Sequence, residues 1–328
     1  MTSPRARIAA ALHKSARILL VNHVEPDGDT LGSTLALALA LESLGKMVIV
    51  ASEGGVPPAF AFLPGADRVV RDLPAGAAFD AAVTMECSTP ERCGRLAGAV
   101  LAAPLIIAVD HHESHIPYGH LEDWDPAAAA AAEQVADLIR ELGVPLSPAI
   151  ASALLTGLAT DTGVFRFPTV RPHSLRLAAE LMEAGAPLAE IVAAVYEQRP
   201  LSANRLLGYA LLRTAVAADG AVAYCTLSEA AQRAAGALPD DSAGIVGALR
   251  TMKGVKVAIL FEENGDDVRV SIRTRDGVRA NAIAETFGGG GHPGAAGCTL
   301  PGPLADAVPK VLAAAEGELR RDDRSAAR

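Results

Sequence analysis

Short runs that are apolar at every position recur through the first half of the chain, and segments with a helical pattern separate them. Such β-branched runs are typical of strands that are covered on both faces. Strands that alternate with helices favour a parallel sheet between two helical layers. The pattern predicts an α/β fold with strands over 18–22, 47–51, 79–85 and 105–109, an edge strand within 115–125, and helices over 4–15, 30–44, 91–102, 126–142, 148–159 and 172–184. The helix over 126–142 is expected to begin directly after Asp125, because Asp is a favoured N-cap and Pro126 suits the first helical position.

The second half of the chain predicts a smaller α/β domain. A helical pattern over 188–217, interrupted by Pro200, is interpreted as a connector. Asn264-Gly265 between two apolar runs favours a hairpin. The predicted strands cover 221–227, 256–262 and 268–274, and the predicted helices cover 228–236, 242–252, 281–286 and 303–318. We therefore divide the chain into a first domain over 1–187, a helical connector over 188–217, a second domain over 218–319 and a charged, disordered tail over 320–328.

Composition narrows the classes of function. A chain of 328 residues with 50% hydrophobic content is long enough for two cores. The formal net charge of −9 argues against a protein that coats long nucleic acid, because that affinity requires many Lys and Arg contacts. No apolar run approaches the roughly 18 residues that cross a membrane, and the four cysteines form no CxxC pair. We expect a cytoplasmic protein with free thiols and no membrane partner.

Acidic and imidazole side chains follow three of the predicted strands and one predicted helix. They are His23, Asp27, Asp29, Glu86, Asp110, His111, His112 and Asp161. The carboxyl ends of parallel strands meet at one edge of a sheet, where ligands bind. Mixed carboxylate and imidazole ligands suit Mn²⁺, and a bridging carboxylate holds two ions about 3.5–4 Å apart, the spacing used for hydrolysis at phosphorus.

Each of these segments also has a structural interpretation, and the residues alone leave it open. Asp29 suits a helix N-cap within an ordinary turn. Glu86 suits a solvated strand end, and Asp161 suits the turn that closes a helix. The two adjacent histidines suit a polar loop that caps backbone groups. The metal interpretation is favoured because the segments are expected at the same edge.

A glycine run over 288–291 precedes His292 and indicates a second kind of site. Consecutive glycines let backbone N–H groups approach an anion without obstruction by side chains. Arg273 and Arg275 alternate on a predicted strand, so both are expected on one face, where they can clamp a phosphate. The alternative is a flexible glycine linker beside surface arginines.

Two motif sets, taken together, carry a resemblance to a known family. The order His23-x-x-x-Asp27-x-Asp29, an acid after a later strand, Asp110-His111-His112 and a late Asp161 resembles the DHH phosphoesterase superfamily. The glycine run with His292 and the following Ala-Ala-Gly is similar to the DHHA1 domain of that superfamily. The resemblance covers residues 8–318, and by size and layout the chain resembles the bacterial nanoRNase/pAp-phosphatase group.

The resemblance implies a role for each motif residue. Two divalent ions, Mn²⁺ above all, would be bound: one by His23 and Asp27, the other by His111 and Asp161, with Asp29 and Glu86 shared between them. His112 would contact the scissile phosphate and Asp110 would orient a ligand, so that Asp29, Asp110 and His112 form the catalytic set. Arg273, Gly290, Gly291 and His292 would hold the terminal nucleotide of the substrate from a DHHA1 domain that lies across a cleft. The family usually has Asp where this chain has Glu86.

The implied function is a two-metal phosphodiesterase. Its substrates would be very short RNA oligonucleotides (nanoRNA and linear dinucleotides), degraded to mononucleotides, and 3′-phosphoadenosine 5′-phosphate (pAp), converted to AMP. Long duplex nucleic acid would not be a partner, and a homodimer is left open. Two alternatives stand beside it: a manganese-dependent pyrophosphatase or polyphosphatase, and a nucleotide-binding sensor without catalysis.

Overall fold

The computed structural model describes residues 3–238 and 241–326, except the side chains of His292 and of residues 323–326. The chain divides after Gln198 into two compact units. This division falls within the segment 188–217 that the sequence predicts as a connector. Among the helices of the described residues, none is long and apolar enough to cross a membrane.

The first unit alternates strands with helices, as its hydrophobic pattern predicts. Short 3-10 turns cover Pro58–Phe60, Ala66–Arg68 and Pro90–Leu96. The regular elements are α1 (Pro4–Lys14), β1 (Arg17–Asn22), α2 (Gly28–Ser43), β2 (Met47–Ala51), β3 (Ala81–Met85), α3 (Ala97–Leu101), β4 (Ile106–Asp110), β5 (Leu121–Trp124), α4 (Ala131–Glu141), α5 (Pro148–Asp161), α6 (Pro172–Glu183) and α7 (Leu188–Tyr196).

The five strands form one sheet in the order β2-β1-β3-β4-β5, and every adjacent pair is parallel. Successive residues of β1 enter different cores, because side chains alternate across a strand. Ile18 and Leu20 pack in the core that holds the apolar sides of α2, α4 and α5, whereas Leu19 and Val21 pack in the core beside α3. The predicted parallel sheet with helices on both faces is confirmed. The chain leaves β1 toward β2 on one side and returns to β3 on the other, so the ends of β1 and β3 flank a topological switch point.

Two glycines allow α2 and α5 to pack closely. A Cβ atom on Gly32 would lie 2.3 Å from the carbonyl oxygen of Ala153, and a Cβ atom on Gly157 would lie 2.6 Å from Oδ1 of Asp29. Neither distance is compatible with a side chain. This close approach brings the start of α2, which carries Asp29, toward the end of α5, where Asp161 is the last residue.

The prediction that a helix begins at Pro126 is wrong. Asp125 instead forms a turn, in which Ala127 N donates to its carboxylate over 3.0 Å and Ala128 N to its carbonyl over 2.9 Å. Helix α4 begins at Ala131. The reason is a distant cap: the N–H groups of Ala131 and Ala132 donate to the carboxylate of Asp29. A cap supplied by tertiary structure takes precedence over the local signal.

The second unit contains a six-stranded mixed sheet in the order β10-β11-β9-β8-β7-β6. Only β7 and β8 pair in parallel among the strands described there. The hairpin predicted at Asn264-Gly265 is confirmed, and the glycine run forms a second hairpin. The elements are α8 (Leu201–Leu212), β6 (Ala215–Ala217), β7 (Val222–Leu227), α9 (Glu229–Ala235), α10 (Ile245–Arg250), β8 (Val257–Asn264), β9 (Asp267–Thr274), α11 (Ala280–Glu285), β10 (Gly290–His292), β11 (Ala295–Pro301) and α12 (Leu304–Ala326).

The last helix extends into the segment 320–328, for which the sequence predicts disorder. Helix α12 continues to Ala326, and residues 327 and 328 lie outside the described part of the chain. Its charged residues form ion pairs: Arg320 with Glu316 and Arg321 with Glu318 along the helix, and Asp322 with Lys256 of the preceding core. These pairs explain why a run of charges is compatible with a helix here.

Candidate metal centre

The loop after β1 presents two of the predicted ligands, His23 and Asp27. Asp27 is the N-cap of α2: its Oδ1 accepts hydrogen bonds from the N–H groups of Asp29 and Thr30 over 3.1 and 3.0 Å. The cap is therefore Asp27 and not Asp29, whose side chain is left available inside the unit. Gly28 between them has no room for a Cβ atom, which would lie 2.5 Å from the side chain of Thr160 near the end of α5.

Asp29 is completely buried and accepts three hydrogen bonds. Oδ2 accepts from Ala131 N over 2.6 Å, and Oδ1 accepts from Ala132 N over 3.0 Å and from the Ser33 hydroxyl over 3.1 Å. Burial nevertheless raises the pKa of Asp29, against the opposing effect of His111. The three hydrogen bonds and the nearby His111 therefore do not fully offset the cost of burying this carboxylate.

Glu86 follows β3 in a strained conformation. Its φ is +55°, in the left-handed region that favours glycine. Its backbone N–H donates to the carbonyl of Val109 over 2.9 Å, and its side chain is buried. Oε1 has no hydrogen-bond partner among the described residues. Burial and the neighbouring Asp29 and Asp27 raise the pKa of Glu86 well above its usual range. The fold thus buries a carboxylate oxygen without a hydrogen-bond partner, which is unfavourable without a cation.

His111 lies among the acids with one nitrogen toward them. Nδ1 donates to the carbonyl of Ala128 over 3.2 Å, which fixes the tautomer and leaves Nε2 as the ligand atom. Nε2 lies 3.4 Å from Asp161 Oδ2, 3.7 Å from Glu86 Oε2 and 4.0 Å from Asp29 Oδ2. Burial alone would lower the pKa of His111, but these carboxylates outweigh it and raise the pKa to about 11. Burial, followed by Asp29, raises the pKa of Asp161 to about 8.

These residues fit divalent cations. The ligand atoms of His23, Asp27 and Glu86 lie within 4.8 Å of one another, and so do those of Asp29, His111 and Asp161. Nδ1 of His23 is buried without a hydrogen-bond partner in the described chain, as is Oε1 of Glu86. Burial lowers the pKa of His23, so its imidazole stays neutral, as a ligand must be. Unpaired nitrogen and oxygen atoms among crowded acids are what a bound metal ion would satisfy.

A second group, around Asp110, lies at the end of the adjacent strand. Asp110 Oδ1 accepts from the backbone N–H and Nδ1 of His112, and Oδ2 accepts from Nδ1 of His115 over 2.8 Å. Burial opposes ionisation of Asp110, but these hydrogen bonds lower its pKa to about 2. His112 also forms a group within 4.8 Å with Glu86 and His111. The sequence reasoning missed His115 and its partner Glu122, although a third histidine three residues after His112 was a signal.

The predicted anion site in the second unit is altered in one respect. Arg273 lies on β9, and none of the described carboxylates pairs with it; burial and the nearby Arg250 lower its pKa. The prediction that Arg275 shares its face is wrong, because β9 ends at Thr274. Arg275 instead donates to the carbonyls of Val255 and Met252, over 2.6 and 3.1 Å.

The glycine run is a packed hairpin and not a linker. Cβ atoms on Gly289 and Gly291 would lie 2.2 Å and 2.5 Å from carbonyl oxygens of β11, at Gly297 and Ala295, so both positions require glycine. A Cβ atom on Gly290 would meet nothing within 4 Å, so that backbone is open to a ligand. The side chain of His292 lies outside the described residues.

Comparisons with known proteins agree with both units. The model of the DHH family N-terminal domain matches residues 17–158, and the DHHA1 domain model matches residues 219–321. The bifunctional oligoribonuclease and PAP phosphatase NrnA of Thermus thermophilus is 39% identical over 327 residues, which cover 97% of this chain and 95% of that protein. The Bacillus subtilis protein of the same name is 26% identical over 286 residues, or 86% of this chain and 89% of the relative.

Solved structures share the fold. An exopolyphosphatase-related protein from Bacteroides fragilis superimposes with a TM-score of 0.91 at 25% identity, covering 98% of this chain and 97% of its own. A structure of exonuclease RecJ bound to manganese has a TM-score of 0.56 at 16% identity, with coverage of 98% and 95%. The likeness to the exonuclease concerns the fold alone.

Proposed function

The chain belongs to the DHH family and carries that family's DHHA1 domain, and from this membership we propose a phosphoesterase for short nucleotides. It hydrolyses very short RNA oligonucleotides, including linear dinucleotides, to mononucleotides, and it converts pAp to AMP. The Thermus relative, named as an oligoribonuclease and PAP phosphatase, supports this activity because the similarity extends over 97% of the chain.

The observation that carries the proposal is the crowding of buried acids at the sheet edge. Glu86 and Asp29 have raised pKa values even with His111 beside them, and Glu86 has an unpaired oxygen, so one imidazole does not offset the burial of these acids. We assign two divalent ions, Mn²⁺ in this proposal, to the centre. His23 and Asp27 would hold one, His111 and Asp161 the other, and Glu86 and Asp29 would be shared. When bound, two such ions supply an activated water near neutral pH and stabilise charge on the phosphate oxygens.

The chain's own residues then bind and orient the substrate. His112 contacts the scissile phosphate, and Asp110 fixes its ring through Nδ1 over 2.7 Å. Asp29 is held in place by the first backbone N–H groups of α4, which donate to its carboxylate. The terminal nucleotide or phosphate is bound by Arg273, by the open backbone at Gly290, by the adjacent Gly291 and by His292. Arg273 suits this role because no described carboxylate neutralises it.

A product time-course tests the activity. The Mn²⁺-loaded protein is incubated with 5′-labelled RNA of two to five nucleotides, with a linear dinucleotide and with pAp. We expect mononucleotides and AMP. Asp29→Ala and His111→Ala should abolish both products, which also excludes a sensor without catalysis. Absence of mononucleotide release by the wild-type protein would contradict the proposal.

The similarity to the exopolyphosphatase-related structure favours one second candidate, hydrolysis of pyrophosphate or polyphosphate. The two candidates differ in their need for the second unit. Arg273→Ala should raise KM for pAp by about 10-fold, the loss expected when one charged contact is removed. Faster phosphate release from pyrophosphate than nucleotide release from RNA would favour the second candidate.

We place the protein in the cytoplasm. Its second proposed property is that it binds short ligands and not long duplex nucleic acid. The net charge of −9 supports the second point, because a long duplex would be repelled. A gel-shift titration with a long duplex at moderate salt should show no complex. A homodimer remains a prediction, which light scattering of the purified protein would test.

A further inference from the structure

A buried series of hydrogen bonds extends from His112 to the edge strand β5. Nδ1 of His112 donates to Asp110 Oδ1 over 2.7 Å, and Nδ1 of His115 donates to the other oxygen of Asp110 over 2.8 Å. Nε2 of His115 then donates to Glu122 Oε2, also over 2.8 Å. The partly exposed ring of His112 is therefore linked to Glu122 through two side chains that are almost completely buried.

His115 is held at both ends. Each ring nitrogen lies 2.8 Å from one carboxylate oxygen, Nδ1 from Asp110 and Nε2 from Glu122. The second oxygen of Glu122 accepts from the backbone N–H groups of Tyr118 and Gly119, each over 2.7 Å. Acceptors fixed on either side define the orientation of the His115 ring, and the ring in turn defines the plane of the Asp110 carboxylate.

Trp124 holds the two ends of this series together. Its Nε1 donates to the carbonyl of His112 over 2.9 Å. Its ring stacks on His115, with centroids 5.9 Å apart and an interplanar angle of 23°. In the sheet, Trp124 pairs directly with Asp110. Since Trp124 is the one tryptophan of the chain, its fluorescence reports on this contact.

We propose that His115 and Glu122 are positioning residues for phosphoester hydrolysis, acting through Asp110 on His112; this rests on the proposed function. Glu122 orients His115, and His115 holds Asp110 Oδ2 so that Oδ1 stays aligned with Nδ1 of His112. The ring of His112 is thereby kept in one orientation toward the phosphate. Within the described part of the chain, neither residue forms a hydrogen bond with a proposed metal ligand. Outer partners of this kind typically change activity by about 10–100-fold when removed.

Two substitutions of His115 separate the two bonds. Asn places an N–H donor near the position of Nδ1, so His115→Asn keeps the bond to Asp110 and loses the bond to Glu122. Gln reaches toward the position of Nε2, so His115→Gln keeps the bond to Glu122 and leaves Asp110 Oδ2 without a donor. Glu122→Gln has nearly the same shape as the wild type and removes the charge. His13→Asn, on the exposed surface of α1, is the matched control.

The expected result is graded. The kcat for pAp and a diribonucleotide falls roughly 30-fold in His115→Gln and roughly 5-fold in both His115→Asn and Glu122→Gln. KM and Mn²⁺ affinity, from titration calorimetry, stay within about twofold, because the metal ligands and the nucleotide contacts are unchanged. The double variant His115→Asn/Glu122→Gln is no slower than His115→Asn, because Glu122 acts only through His115. Trp124 emission changes in both His115 variants and is unchanged in His13→Asn.

Three results would overturn the inference. Equal kcat values for His115→Asn and His115→Gln would show that the hydrogen bond from His115 to Asp110 does not affect catalysis. A loss of Mn²⁺ affinity parallel to kcat would show a general structural role. If the losses of kcat in the two single variants add up in the double variant, Glu122 does not act through His115. If the wild-type protein hydrolyses pAp and the variants have the same kcat, only this inference is contradicted. If the wild-type protein is inactive, the proposed function is contradicted. If His115→Gln does not fold, Glu122→Gln and the double variant still decide.

Discussion

Two groups of buried acids and imidazoles lie at the ends of neighbouring strands, and they behave in opposite ways. Asp29, in the group with Glu86, accepts three hydrogen bonds and still has a raised pKa. Asp110 also accepts three, and its pKa is lowered to about 2. The donors differ: Asp29 accepts from two amides and a hydroxyl, with the His111 imidazole 4.0 Å away, whereas each oxygen of Asp110 accepts directly from an imidazole. At Asp29 burial dominates, and His111 and the amide donors offset it only in part, whereas at Asp110 the direct imidazole hydrogen bonds outweigh burial.

This difference assigns different roles to the two groups. The group around Glu86 is incomplete without cations, because its acids repel one another and Glu86 Oε1 has no described partner. The group around Asp110 is complete within the protein. The first group is suited to binding metal, and the second to holding a side chain in a fixed orientation.

Asp29→Asn gives the strongest test of the first role. We expect kcat/KM to fall about 1,000-fold, or ~4 kcal/mol, because the shared ligand charge is lost. Thermal stability should also fall, since an amide NH₂ would face the N–H donors of α4. Calorimetric Mn²⁺ titration and thermal unfolding measure the two effects. Ser33→Ala, which removes one hydrogen bond and keeps the carboxylate, is the control. Wild-type Mn²⁺ affinity in Asp29→Asn would show that Asp29 is only a helix cap.

Asp110→Asn tests the second role by the opposite signature. We expect kcat to fall about 100-fold, because the amide cannot accept from both His112 and His115. Mn²⁺ affinity should remain that of the wild type. The control is Asp125→Asn, in which the side chain keeps an acceptor for the Ala127 N–H. Weakened Mn²⁺ binding in Asp110→Asn would show that the group around Asp110 also contributes to metal binding and has no separate role.

The pH dependence of metal affinity sharpens the comparison. Burial and Asp29 raise the pKa of Asp161 to about 8, so below that pH a proton occupies the position that the cation requires. Mn²⁺ affinity should therefore rise with pH between 6 and 8, by about tenfold per unit for each proton displaced, and His111, with a pKa of about 11, contributes a second such proton. Titration calorimetry in two buffers of different ionisation enthalpy counts the protons released. The same slope is expected in Asp110→Asn, and a pH-independent affinity would show that ionised acids already form the centre.

Glu86→Asp should have the smallest effect. The shorter side chain draws the shared carboxylate back by one methylene, while the left-handed backbone at this position stays strained. We expect Mn²⁺ affinity to fall roughly 3–10-fold, or ~1 kcal/mol, with a change in the Mn²⁺ to Mg²⁺ ratio. Direct titration with each ion measures it, with the exposed Glu25→Asp as control. Tighter Mn²⁺ binding in Glu86→Asp would show that Glu is no better than Asp as a metal ligand at this strained backbone position.

The parallel sheet was predictable because its signal is local. A strand that is apolar at every position must be covered on both sides, and polar residues directly after it must lie at the sheet edge. The structure brings His23, Asp27, Asp29, Glu86, His111 and Asp161 into two groups of ligand atoms, each within 4.8 Å. Their roles as ligands remain a proposal, supported by the unpaired atoms of His23 and Glu86.

The incorrect predictions share a cause, which is a partner distant in sequence. Helix α4 begins five residues later than its local signal because Asp29, about 100 positions earlier, caps it. Arg275 leaves its strand and binds carbonyls at Val255 and Met252. Glu122 was missed because only the pairing of β4 with β5 brings it to His115.

The sequence by itself determined the order of elements, the parallel sheet and the types of side chain at its edge, because these follow from short-range hydrophobic patterns. Only the tertiary structure decided what those side chains do. Asp29 and Asp110 are the same residue type at the same edge, and no local pattern distinguishes them. Their opposite behaviour arises from which charges and dipoles the adjacent strands and helices place within a few ångströms of each carboxylate, and electrostatic energy depends on that distance and on burial.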